Sequence, residues 1–176
     1  MKLTWFGGTT MRAHIGGEML VIDAAGAPAG IDRAELVSGA DRLVSFGGLA
    51  VLKSVDPTGW TPRRAPALID EAEVPSVAVY CAGWAILIDA VGERPLLLIN
   101  REVERMGRWA GNAVVVLMGS AEALPGLAEN VLERLAPKLM AVAGTEEAVD
   151  QVILRVGSLL DGTGLMALEP GLALEV

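Results

Sequence analysis

Leu3-Thr4-Trp5-Phe6-Gly7-Gly8-Thr9-Thr10-Met11-Arg12-Ala13-His14-Ile15-Gly16-Gly17-Glu18-Met19-Leu20-Val21-Ile22-Asp23 is the stretch on which the fold turns. Leu3 to Phe6, Met11 to Ile15 and Met19 to Asp23 are short β-prone runs. Gly7-Gly8 and Gly16-Gly17 separate them, and paired glycines supply the positive φ that tight turns require. The segment is therefore expected to form an antiparallel meander.

Outward from this meander, strands and helices follow in two similar halves. A short helix is expected around Asp32 to Val37, ended by Gly39. Arg42 to Phe46 then reads as a buried strand running into Gly47-Gly48. Lys53 to Arg64, with Pro57, Gly59 and Pro62, reads as a mobile loop. Strands resume at Ser76 to Cys81, Trp84 to Asp89 and Leu96 to Ile99, with Val91-Gly92-Glu93-Arg94 as the hairpin between the last two. Ala113 to Met118 is the next strand. Ser120 then caps a helix running to about Leu135, with Leu124, Leu127, Val131, Leu132 and Leu135 on one face. Pro137 to Val142 reads as a strand before a Thr145-capped helix whose first turn carries Glu146 and Glu147, where the helix dipole favours acids. Asp161-Gly162 turns the chain into an expected final hairpin of Leu165 to Leu168 and Leu172 to Val176. The expected fold is a layered α/β sandwich, two mixed sheets face to face with helices outside, in a single domain spanning residues 1–176.

Composition narrows the function classes. Of 176 residues, 52% are apolar and 20% charged, which points to an extensive core or a buried partner surface. The longest charge-free apolar stretch, Val74 to Ile88, is broken by Pro75 and Gly83 and is shorter than the roughly 20 residues that cross a bilayer. Met1-Lys2 runs straight into Leu3-Thr4 with no long apolar core, so the chain is expected to be cytoplasmic and free of the membrane. A net charge of −8 repels polyanions, and nucleic acid is not an expected partner. Arg63-Arg64 and the arginines from Arg101 to Arg108 read as solvated faces. The lone cysteine, Cys81, forbids an intramolecular disulfide and is expected to be buried and inert.

The order of elements, with several local phrases, resembles the metallo-β-lactamase fold, in particular the small metal-dependent hydrolases similar to ascorbate-phosphate lactonase. The phrases are Met1-Lys2-Leu3-Thr4-Trp5-Phe6-Gly7-Gly8, then Gly16-Gly17, then Leu20-Val21-Ile22-Asp23, and later Leu135-Ala136-Pro137-Lys138. The resemblance implies a four-layer αββα sandwich of two mixed sheets with outer helices. It also places the family's metal ligands on positions that here lack donors. Gly8 stands where a histidine is common. Gly47-Gly48-Leu49-Ala50-Val51-Leu52 stands in the place of the family's His-x-His-x-Asp-His loop. Asn100-Arg101 falls at the bridging aspartate, and Gly144 at the terminal histidine. Zinc requires imidazole, thiolate or carboxylate donors. The chain contains a single histidine, His14, outside every one of these positions.

The expected function is accordingly a metal-free, catalytically inactive binding or assembly module, without a cofactor. Its expected partners are a second copy or an active homologue, with Trp5, Trp60, Trp84 and Trp109 as anchors, or a small-molecule ligand. The pocket candidates are Gly8, Asp23, Gly47, Leu49, Leu52, Asn100, Arg101 and Gly144; no catalytic or metal residue is assigned. Two alternatives stay open. One is a hydrolase with rebuilt, non-zinc chemistry on Asp23, His14 or Asp56. The other is a sensor whose emptied pocket, lined by Gly47, Leu49, Leu52 and Gly144, holds an apolar or anionic ligand. A magnesium site on Asp23, Asp56, Glu102 and Glu104 and an anion clamp of Arg101 and Arg105 at a helix start are the lesser candidates. Ser120 lacks the Gly-x-Ser-x-Gly elbow of a nucleophile, and Gly7-Gly8 leads to a strand where a phosphate loop would lead to a helix.

Overall fold

The opening meander is present in the computed structural model, which describes residues 1–64 and 76–176. Its strands are β1 (Lys2–Gly7), β2 (Thr10–Ile15) and β3 (Glu18–Ile22), antiparallel and in the register Leu3↔Ala13↔Leu20. β4 (Arg42–Val44) lies parallel to β3, and β12 (Ala173–Glu175) closes the other edge against β1, giving the order β12-β1-β2-β3-β4.

A second, larger sheet stacks on the first. It comprises β5 (Lys53–Val55), β6 (Val77–Ala82), β7 (Ala85–Ala90), β8 (Leu96–Ile99), β9 (Val114–Met118), β10 (Leu139–Ala143) and β11 (Gly164–Leu168), ordered β11-β10-β9-β8-β7-β6-β5. β6, β7 and β8 pair antiparallel and the remaining neighbours pair parallel, so both sheets are mixed. β8 and β9 are continuous apolar runs because both of their faces are covered.

Side-chain alternation divides the interior into two cores. Leu3, Trp5, Met11, Leu20 and Ile22 from the smaller sheet meet Ile86, Ile88, Leu98, Val116 and Ala143 from the larger one. The intervening residues Leu87, Leu97, Val115, Leu117 and Val142 point the other way, onto α2 (Leu124–Arg134) and α3 (Glu146–Val156). α2 buries Leu124, Leu127, Ala128, Val131 and Leu132, one stripe at helical spacing. Thr145 caps α3 by accepting from the Ala148 amide, with Glu146 and Glu147 in the first turn. On the far face of the smaller sheet, α1 (Arg33–Val37) is capped by Asp32 and held by Arg12, whose guanidinium donates to the carbonyls of Leu36 and Glu35. No helix among the described residues is long and apolar enough to cross a membrane.

The structure corrects several expectations. Leu165–Leu168 and Leu172–Val176 do not form a hairpin: β11 joins the larger sheet parallel to β10, while β12 crosses to the smaller sheet and pairs with β1. Glu169-Pro170-Gly171 makes that crossing, with the Gly171 amide donating to the Trp5 carbonyl. The strand expected from Arg42 to Phe46 stops at Val44, because Ser45 caps a 3₁₀ turn over Phe46–Val51. Ser120 accepts from Ala123 in a turn that precedes α2; it is not the helix cap itself. Lys53 to Arg64 is not simply a loop, since β5 occupies its start. The rest is tied down: the Pro57 carbonyl accepts from Gly107 N and Trp109 Nε1, and Trp60 lies edge-on to Trp109 at 4.6 Å. Val74 and Pro75, at the head of the long apolar stretch, lie outside the described residues.

Candidate functional site

Strand direction defines the rim where a site can form. β1, β3 and β4 run one way in the smaller sheet; β8, β9, β10 and β11 run one way in the larger. Trp5, near the end of β1, bridges to Pro170, just beyond β11, and lines a groove with Gly144, just beyond β10. The carboxyl ends of both sets therefore share one rim, the usual place for ligands in open α/β sheets. Each pocket candidate follows such an end: Gly8 after β1, Asp23 after β3, Gly47, Leu49 and Leu52 after β4, Asn100 and Arg101 after β8, and Gly144 after β10.

What these residues do at the rim differs from one to the next. Gly8 turns the chain at φ +54° and its carbonyl accepts from Trp5 Nε1 at 3.0 Å. Asp23 adopts a left-handed φ of 48° and ties three strand ends together. Its amide donates to the Val44 carbonyl at 2.8 Å, its carboxylate accepts from the Phe46 amide at 3.0 Å, and its carbonyl accepts from buried Thr10 Oγ1 at 3.0 Å. Gly47 donates to Ser45 Oγ and is exposed. Leu49 and Leu52 turn inward with Phe46 and pack on the inter-sheet core. Asn100 Oδ1 is shielded from solvent and has no hydrogen-bond partner among the described residues. Arg101 lies 4.9 Å above the Trp84 ring, a cation–π contact. At Gly144 a Cβ would stand 2.8 Å from Leu124 Cδ1 and 3.3 Å from Ala148 Cβ, so packing against the helices favours glycine there.

This donor set does not fit a metal. The glycines and leucines offer no ligating side-chain atoms, which leaves Asp23 as the one carboxylate among these eight positions. No group of three His, Cys, Asp or Glu side chains among the described residues could hold an ion. Asp56 instead accepts from the amide and hydroxyl of Thr58, and these bonds hold its carboxyl below its ordinary range. His14 is exposed on β2 opposite Lys2 and Met19, on a shallow depression shared with Met1, Lys2 and Glu175.

Other residues read differently once placed. Arg63 is not part of a solvated face: its Nε meets Asp89 Oδ2 at 2.6 Å, and Asp89 is 0% exposed within β7. That buried carboxylate was hidden in the sequence because its partner lies twenty-six positions away. Arg101 to Arg105 does not begin a helix; the segment has no regular secondary structure, and the Val103 amide donates to Asn130 Oδ1. Cys81 is half-buried, beside Ser54 of the edge strand β5, and its thiol donates to the Gly83 carbonyl. Trp5 and Trp109 belong to the cores and Trp60 packs on one of them, leaving Trp84, 58% exposed, as the tryptophan open to a partner.

At the rim lies a groove of about 530 Å³, walled by Trp5, Gly144, Val149 and Pro170 and bordered by the carboxylates of Glu146 and Asp150. Set beside known proteins, the chain matches no family model, no curated protein and no solved structure.

Proposed function

We propose that this chain is a metal-free protein of the metallo-β-lactamase-like four-layer αββα architecture, working in the cytoplasm as a binding and assembly module and not as a hydrolase. The observation that carries this reading is the segment after β4. Phe46, Leu49 and Leu52 pack on the inter-sheet core, and the Asp23 carboxylate accepts from the Phe46 amide. A loop built this way fills the rim with hydrocarbon where a hydrolase would present ligands. The outer position of α1 over β2 and of α2 and α3 over the larger sheet supports the four-layer description. A lone cysteine suits a reducing compartment.

Metal analysis of protein expressed with added zinc, manganese and iron tests the reading: far less than one ion per chain is expected. Stoichiometric metal removed only by chelators overturns it. Turnover of phosphoesters, lactones or thioesters that is lost on replacing Asp23, His14 or Asp56 would establish the rebuilt hydrolase instead.

The groove beside Gly144 supports a second reading as a small-molecule sensor. Its lining differs from the pocket expected in sequence, since Leu49 and Leu52 face the core. Glu146, Asp150 and Glu169 at its border disfavour an anion and suit a neutral or cationic ligand. Thermal-shift screening with amines and neutral metabolites checks this, and Val149→Trp, which fills the groove, should abolish any shift.

A further inference from the structure

The four sheet edges formed by the described residues are not alike. β4 is Arg42-Leu43-Val44, β5 is Lys53-Ser54-Val55 and β12 is Ala173-Leu174-Glu175, three residues each, and every one carries a charge. Short length and a charged side chain are the ordinary protection of an edge against pairing with another chain. β11, the remaining edge, is Gly164-Leu165-Met166-Ala167-Leu168: five residues with neither a charge nor a proline. Among the described residues, β10 is its only strand partner, so the outward backbone amides and carbonyls of β11 face no neighbouring strand.

Apolar side chains flank this edge on both faces. Met166, 42% exposed, lies on the same face as Leu168, which enters the inter-sheet core. On the helix face, Ala167 shares the rim groove with Val149, and Ile153, one turn further along α3, is 48% exposed. The opposite flank of α3 is occupied by α2, to which Arg155 is bound through Glu129 at 2.5 Å. Ile153 therefore belongs to the side of α3 that borders β11.

We infer that β11 is a dimerisation edge, and that its occupant is the β11 of a second copy, antiparallel about a two-fold axis. This rests on the assembly reading above and names its surface and partner. A two-fold pairing is self-complementary: centred on Met166, it sets Met166 against its own copy and Leu165 against Ala167, with every outward amide meeting a carbonyl. Charge selects the same edge. Two chains of net charge −8 repel one another; β11 contains none of the 22 acids, and Glu146, Asp150 and Glu169 gather at its carboxyl end, so a two-fold antiparallel pairing sets the acids of the two copies at opposite ends of the junction. Ile153 and Met166 of each copy then cover the junction from its two faces.

Light scattering on the purified full chain at micromolar concentration tests this, together with Met166→Lys and Ala167→Lys. These place a charge on opposite faces of the edge, at exposed positions where the folded chain accommodates lysine. The expected mass is twice 18.3 kDa for the unchanged protein and half of that value for each variant, with far-UV melting curves showing both variants folded. A monomeric unchanged protein overturns the proposal, as does a dimer that persists in both folded variants. Metal content measured on the same preparation decides the metal-free reading separately, so failure of one is not failure of the other.

Discussion

At the scale of a single residue, Asp23 carries more of the rim than any other candidate. Its left-handed φ of 48° aims the backbone so that its amide, carboxylate and carbonyl reach β4, the 3₁₀ turn and β2 in turn. Aspartate and asparagine tolerate that conformation, while alanine resists it. Asp23→Ala should therefore lose the bond to Phe46 and gain backbone strain, costing about 1–3 kcal/mol. Asp23→Asn keeps both an acceptor oxygen and the tolerance, and should cost less than about 1 kcal/mol. Urea denaturation of both variants checks the order; equal losses would mean that the negative charge, not the geometry, is what matters. The position was legible in sequence because Asp23 ends an apolar strand. Its bonding was not, because Phe46 and Thr10 become neighbours only when β2, β3 and β4 align.

At the scale of elements, apolar runs and glycine pairs located most strands, and they failed where the question became which strand pairs with which. Leu165–Leu168 and Leu172–Val176 are separated by a turn-like Glu169-Pro170-Gly171, as a hairpin would be. Periodicity reports which side chains want burial, but partner choice depends on edges built far away in the chain, here β10 for one strand and β1 for the other. The Gly16-Gly17 turn shows a similar limit. Both residues have positive φ, +58° and +81°, and in sequence they look equivalent. In the structure a Cβ on Gly16 would meet Val77 Cγ2 at 2.7 Å and Ala90 Cβ at 2.9 Å, while one on Gly17 would meet nothing. Gly16 also donates to Glu93 Oε1 at 2.6 Å, so this turn joins the smaller sheet to the β7–β8 hairpin of the larger. Gly17→Ala should cost only the backbone strain, about 1–2 kcal/mol. Gly16→Ala adds overpacking at the junction of the sheets, for a total of about 2–4 kcal/mol. Chemical denaturation midpoints will separate the two, and equal shifts would contradict the close approach of Val77 and Ala90.

At the scale of the whole molecule, the larger sheet belongs to both cores at once. Adjacent residues of β8 illustrate this: Leu97 points to α2 and α3, Leu98 to the smaller sheet, and both are fully buried. Neither core can lose its larger-sheet wall without exposing the back of the other, so the two should unfold together. Leu97→Ala and Leu98→Ala each remove a buried isobutyl group and should cost about 2–5 kcal/mol. More telling than the size is the form of the transition. In a molecule with separable layers, Leu98→Ala would melt the smaller sheet first and leave α2 and α3 on an intact scaffold, giving two phases. With a shared sheet, each substitution should move one single transition, seen identically by far-UV circular dichroism and by tryptophan fluorescence, to which Trp5 contributes from one core and Trp60 and Trp109 from the other. Divergent curves from the two probes in the Leu98→Ala protein would show that the layers are held together less tightly than the continuous burial of β8 and β9 implies.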